Sequence, residues 1–106
     1  MYIAAMSEKK SVQDVNPETL ARSAEVIRTL GHADRLKIVE VLEQGEATVS
    51  HIQETLDLPQ ATVSQHLARM RGCGIVRRRR DGVNVYYRID EPKVYNILNC
   101  IRRFDK

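Results

Sequence analysis

Apolar residues recur at three- and four-residue steps from Asn16 to Leu30, as Leu20, Ala24, Ile27 and Leu30. That spacing predicts a helix with a single apolar stripe. Asn16-Pro17 is its start signal, an Asx cap followed by Pro at the first helical position, and Gly31 its stop. A second helix is expected from about Ala33 to Gln44. Its Leu36, Ile38, Val39, Val41 and Leu42 cover more than one face, which suits a central, mostly buried position. Thr48 is placed to cap a short third helix carrying Val49, Ile52 and Leu56 inward. Asp57-Leu58-Pro59 breaks it, and Pro59 suits the first turn of a fourth helix that runs to about Gly72. There Val63, Leu67 and Met70 repeat at i, i+4 and i+7 and face the core.

The period changes at Ile75. Ile75-Val76 begins one strand, and Val83 to Ile89 reads as a β-branched and aromatic second strand. Asp81-Gly82 predicts a two-residue type I′ hairpin turn between them. Pro92 opens a last helix with the stripe Val94, Ile97, Leu98, Ile101 and Phe104. The pattern predicts a mainly α chain with a β-hairpin, about five helices and two strands. Residues 1–15 are expected to be a flexible N-terminal tail and 16–106 one domain.

At 106 residues, 42% apolar and 29% charged, the chain has room for one core. No apolar run reaches the ~18 residues a membrane span needs. The first residues lack the pattern of a secretory signal, and two cysteines fit a reducing cytosol, so a cytoplasmic location is expected. His32, His51 and His66 are never three or four apart, so no helix face carries a zinc-type histidine pair and no metal is expected. A Gly-rich phosphate loop, a supported Ser/His/Asp grouping and paired catalytic carboxylates are all missing, which argues against an enzyme and gives no reason to expect a cofactor.

Charge is informative once split. Residues 1–56 hold six Lys/Arg and nine Asp/Glu, whereas 57–106 hold eleven and five. A basic C-terminal half points to a polyanion partner, because phosphate contact releases counterions, although a merely solvated basic face gives the same totals. The third and fourth helices, joined by a three-residue break, have helix-turn-helix spacing, with residues 60–72 as the recognition helix. Its outward positions are Gln60, Ala61, Thr62, Ser64, Gln65, Ala68 and Arg69, and no acidic residue lies between Leu58 and Arg80. Gln and Arg can read base edges, Ser and Thr bond bases or phosphates, and an acid-free face avoids repelling DNA.

The hairpin then supplies a wing carrying Arg77, Arg78, Arg79 and Arg80. Strand alternation prevents all four from pointing one way. Two are expected to face DNA, and two to be solvated or packed by their stems on Tyr86 or Tyr87. The competing reading is an edge strand kept soluble by charge. A winged-helix module that binds protein instead of DNA is the alternative function, since a scaffold does not fix its use.

Three stretches carry a family resemblance. Thr29-Leu30-Gly31-His32-Ala33-Asp34-Arg35-Leu36-Lys37-Ile38, Ala61 to Met70, and Asp81 to Ile89 occur in the order found in the ArsR/SmtB family of transcriptional repressors, which the chain resembles over about residues 18–104. The resemblance implies a winged helix-turn-helix homodimer that binds a double-stranded operator and is released by an inducer, with the first and last helices forming the dimer interface. It implies DNA contact at Gln60, Thr62, Ser64 and Gln65. His66 is expected to hydrogen-bond a neighbour, and His32 to be structural. Thr48 and Ser50 stand where one metal-sensing arrangement of the family has cysteines. Glu91 and Lys93 replace the first pair of another, and Arg69 replaces one cysteine of a third, whose second position is Cys73. Cys73 and Cys100 are left as possible thiol sensors, against the alternative of small buried apolar residues.

Overall fold

The computed structural model describes residues 11–105. The first ten residues of the expected tail lie outside the described residues. Within the rest, Ser11 caps a single 3-10 turn at Val12–Asp14. Five helices follow: α1 (Pro17–Leu30), α2 (Ala33–Glu43), α3 (Val49–Leu56), α4 (Gln60–Gly72) and α5 (Lys93–Phe104). The strands β1 (Val76–Asp81) and β2 (Asn84–Ile89) separate α4 from α5 and pair antiparallel.

Local chemistry sets the helix ends. Asn16 Oδ1 accepts from the Glu18 amide at 2.8 Å, and Thr48 Oγ1 from that of His51 at 3.1 Å. His32 caps α2 in the same manner, its Nδ1 accepting from the Asp34 amide at 3.2 Å. Asp57 ends α3 in the left-handed region (φ 54°), a conformation Asp tolerates better than most residues. Pro59 and Pro92 stand just outside α4 and α5, at their N-caps, one residue earlier than a first-turn Pro.

The core gathers one face of each element around α2. Ile38, Val39 and Leu42 of α2 are buried with Ile52 of α3, with Val63, Leu67 and Met70 of α4, and with Ile75, Val76, Tyr87 and Ile89 of the hairpin. Val26 and Leu30 of α1 and Val94 and Leu98 of α5 close it on the other side. Arg102 pairs with Glu40 and Glu43, which seats α5 on α2.

The stripe of α1 does not go inward as a unit. Leu30 is buried, but Leu20 and Ile27 are 42% and 63% exposed, and Ala24 is exposed as well. Likewise Ile97 and Ile101 of α5 are half-buried and Phe104 is 81% exposed. Both outer helices therefore carry apolar side chains that the described residues do not cover.

The hairpin corrects one expectation. Asp81 pairs with Asn84, so the turn residues are Gly82 and Val83, not Asp81 and Gly82. Gly82 alone has a positive φ, 64°. A type I′ turn needs positive φ at both central positions, which β-branched Val83 resists, whereas glycine at the first position alone fits a type II′ pattern. The sheet also gains a neighbour that its local sequence does not announce. Ala47 exchanges backbone hydrogen bonds with Tyr87 at 3.0 and 2.8 Å, bringing the α2–α3 segment against β2.

Candidate nucleic-acid interface

α3, the turn Asp57–Pro59 and α4 form the helix-turn-helix. Val63, Leu67 and Met70 have no exposed surface, which fixes the rotation of α4 about its axis. The opposite side then presents Gln60, Ser64, Gln65 and Arg69 to solvent, with Thr62 half-buried at its edge. All five predicted residues of this helix thus lie on or beside one surface. Among the described residues no side chain caps α4, so the N–H groups of its first turn leave the positive end of the helix dipole beside Gln60 and Thr62.

The four hairpin arginines are exposed, but they are not equivalent. Arg77 and Arg79 share one face, and Arg78 and Arg80 the other. Arg79 donates from Nε and Nη2 to the two oxygens of Glu46 at 2.8 and 2.7 Å, and its guanidinium lies 4.7 Å from the Tyr86 ring centroid. This fork holds the Glu46 carboxyl below its ordinary range and raises Arg79, so the pair stays charged and tied together. Arg77 lies 3.4 Å from Asp90. Among the described residues, Arg78, Arg80 and Arg88 have no ion-pair partner. The acid-free sequence from Leu58 to Arg80 is therefore not an acid-free neighbourhood, since Glu46 and Asp90 fold back onto two of the four arginines.

Of the two thiols, Cys73 is half-buried at the C-cap of α4, where it donates to Thr29 Oγ1 at 3.5 Å and the Met70 carbonyl at 3.6 Å. Cys100 is exposed on α5.

The fold assembles one further cluster from residues distant in the sequence. His32, Asp34 and His66 bring one potential ligand atom each within 4.8 Å of one another, and the imidazole centroids are 4.6 Å apart. Spacing along one helix cannot reveal it, because His32 and His66 come from different elements. Its bonding favours structure over metal capture. Nδ1 of His32 accepts from the Asp34 amide and Nδ1 of His66 accepts from Arg35, so each neutral ring keeps its proton on Nε2.

An exposed, carboxylate-free recognition helix beside an arginine-bearing hairpin defines a winged helix-turn-helix DNA-binding domain. Known proteins place it further. Residues 32–78 match the model of the bacterial regulatory protein arsR family. The transcriptional repressor PagR of Bacillus anthracis is 44% identical over 84 residues, which cover 78% of this chain and 84% of PagR. Its crystal structure superposes with a TM-score of 0.75, over 81% of this chain and 99% of that one. A biofilm growth-associated repressor of Agrobacterium fabrum is 35% identical over 88 residues, covering 80% of this chain and 75% of that protein. A homodimeric winged helix-turn-helix DNA-binding domain from Mycobacterium bovis, solved by NMR, is 29% identical with a TM-score of 0.74, over 90% of this chain and 86% of that one. The chain belongs to the arsR family of bacterial regulatory proteins; it is a transcriptional regulator and not an enzyme. No helix among the described residues is long and apolar enough to cross a membrane.

Proposed function

We propose that the protein is a cytoplasmic homodimeric repressor that lays two copies of α4 into successive major grooves of an operator and leaves when an inducer binds. In each protomer Gln60, Thr62, Ser64, Gln65 and Arg69 contact base edges and the flanking phosphates. The hairpin arginines grip the backbone, Arg78 and Arg80 foremost, with Arg77 and Arg79 restrained by their carboxylates. The observation that carries this reading is the rotation of α4. Burial of Val63, Leu67 and Met70 leaves an outward face of short polar and amide side chains without a carboxylate.

Dimerisation joins α1 to α5 of two protomers through Leu20, Ala24, Ile27, Ile97, Ile101 and Phe104. Apolar side chains that the described residues leave uncovered, on two outer helices that line one groove through Val26, Ile27 and Ile97, support that assignment, since monomers seldom leave such surface to water. Cys73 and Cys100 are the positions at which a thiol-reactive inducer would act. Sedimentation of the wild type and of Ile27→Glu tests the assembly, combined with selection of duplexes from a randomised pool. A dimer that enriches a two-fold-related sequence is expected, with the variant monomeric and weaker on that sequence. A monomeric wild type that enriches nothing would overturn the reading.

A further inference from the structure

The recognition helix is bonded to α1 by side chains, although the two helices scarcely pack on each other directly. Arg35, in the first turns of α2, spans the gap. Its Nη1 donates to the Thr29 carbonyl near the end of α1 at 2.9 Å, and its Nε donates to His66 Nδ1 in the middle of α4 at 3.1 Å. Thr29 is itself a junction and is buried. Its hydroxyl donates to the Glu25 carbonyl at 2.8 Å and receives the Cys73 thiol from the C-cap of α4. Arg22 of α1 donates to the Cys73 carbonyl and pairs with Glu25 and with Glu91, just before α5. Gly74 follows with φ 78°, a left-handed conformation that favours glycine, and a Cβ there would meet Arg22 Nη2 at 3.1 Å. The helix is thus fastened to α1 at its middle and at its C-terminal end.

We propose that Arg35 is a positioning residue for DNA recognition: by bridging the Thr29 carbonyl and His66, it holds the reading face of α4 at a fixed setting relative to the helix assigned to the dimer interface. The proposal rests on the DNA-reading role given to α4 above. Two copies of α4 must meet one duplex together, so a small change of tilt in each protomer is a misfit in both half-sites at once. Arginine is suited to this task because its fork offers two donors in fixed directions, which a lysine ammonium does not reproduce.

The bridge requires an unprotonated Nδ1 on His66. Burial, His32 and Arg35 keep that imidazole below the ordinary histidine range, against the opposing pull of Asp34. Among the described residues the charged and titratable groups acting on it are His32 from the α1–α2 corner and Arg35 and Asp34 from the first turn of α2, while α1 contributes the neutral Thr29 carbonyl, through Arg35. Protonation of His66 sets an N–H against the Arg35 N–H and breaks the bridge. This sign is diagnostic. Adding positive charge to a DNA-binding surface ordinarily strengthens phosphate attraction, whereas loss of the bridge weakens binding as the solution is acidified.

The test uses the full chain and a duplex enriched by the wild type from a randomised pool. Binding is followed by fluorescence anisotropy between pH 8 and pH 5.5, and His66 by imidazole nitrogen NMR without DNA. Wild-type affinity is expected to be level at the alkaline end and to fall as His66 protonates. Arg35→Gln and Arg35→Lys should each lose affinity about ten-fold at pH 8, the scale of one charge-assisted hydrogen bond, and lose the acid-side fall. His66→Asn, whose amide oxygen can take the Nδ1 position, should keep an acceptor for Arg35 and lose the acid-side fall, its affinity staying level between pH 8 and pH 5.5. Should Arg35→Gln unfold, His66→Asn and the wild-type profile still decide. An unchanged His66 titration in Arg35→Gln overturns the bridge. An altered titration with wild-type affinity retained at every pH overturns the positioning role. A wild type that binds no duplex, with the NMR signature of the bridge intact, overturns the DNA-reading role of α4 and this role for Arg35 with it.

Discussion

Arginines of one strand can be sorted by what they already hold. Replacing Arg78 and Arg80 by alanine removes two unpaired guanidinium groups per protomer. Replacing Arg79 and Glu46 together removes an ion pair as a unit and leaves the net charge unchanged. If each unpaired arginine neutralises one phosphate, the first double variant loses four contacts per dimer. Its slope of log affinity against log salt should become shallower by about 3.6, at about 0.9 per phosphate. Near 0.15 M salt each contact contributes about 0.7 decade through counterion release, so the affinity loss is up to about a thousand-fold. The Arg79→Ala/Glu46→Ala protein should keep the wild-type slope to within about one unit. Anisotropy titrations of a selected duplex at five salt concentrations read both quantities. Equal flattening by the two variants, or a wild-type slope in the Arg78/Arg80 protein, would refute the division of the wing into free and restrained arginines.

Other consequences concern single side chains and acid. Glu46→Gln releases Arg79 from its fork, so duplex binding should strengthen and the salt slope steepen by up to about 0.9 per protomer, read in the same titrations. Leu67 is fully buried on the inner side of α4, so Leu67→Ala should lower the unfolding free energy read by urea denaturation by about 2–5 kcal/mol. Stability should fall on acidification in two windows. His66 is lowered from 6.5, so the folded state favours its neutral form; that contribution is complete above 6.5 and is lost as pH drops from there through the folded value. Glu43 and Glu46 are lowered from 4.5 by hydrogen bonds from Arg102 and Arg79, so their contribution is present above 4.5 and disappears as pH falls through their folded values. Melting temperatures from pH 8 to pH 3 should show both declines, and His66→Asn should remove the upper one.

Much of this architecture is local, and local features were readable. The caps at Asn16 and Thr48, the break at Asp57–Pro59 and the i, i+4, i+7 run of Val63, Leu67 and Met70 each depend on neighbours within a few residues. That run alone determines which side of α4 faces solvent, so the candidate reading face followed directly. Asp-Gly is a strong turn signal in isolation and puts the hairpin turn one residue early, because the register is set by core-facing Val76, Tyr87 and Ile89. What stayed hidden joins distant parts of the chain. The Glu46 fork on Arg79 follows from the pairing of Ala47 with Tyr87, and the His32–His66 contact from the packing of α2 against α4. Arg35 was part of a family stretch in the sequence, but its two acceptors, Thr29 and His66, are identifiable only once three helices are assembled.

The central claim, that the exposed side of α4 reads sequence, is tested most directly by competition between a selected duplex and a scrambled one of equal composition. The measurement compares wild type with Gln60→Ala/Ser64→Ala/Gln65→Ala. Wild type should favour the selected duplex strongly, and the triple variant should bind both alike while keeping most of its salt dependence, because base readout is removed and the wing's phosphate grip is not. A triple variant that discriminates as well as wild type would contradict the account.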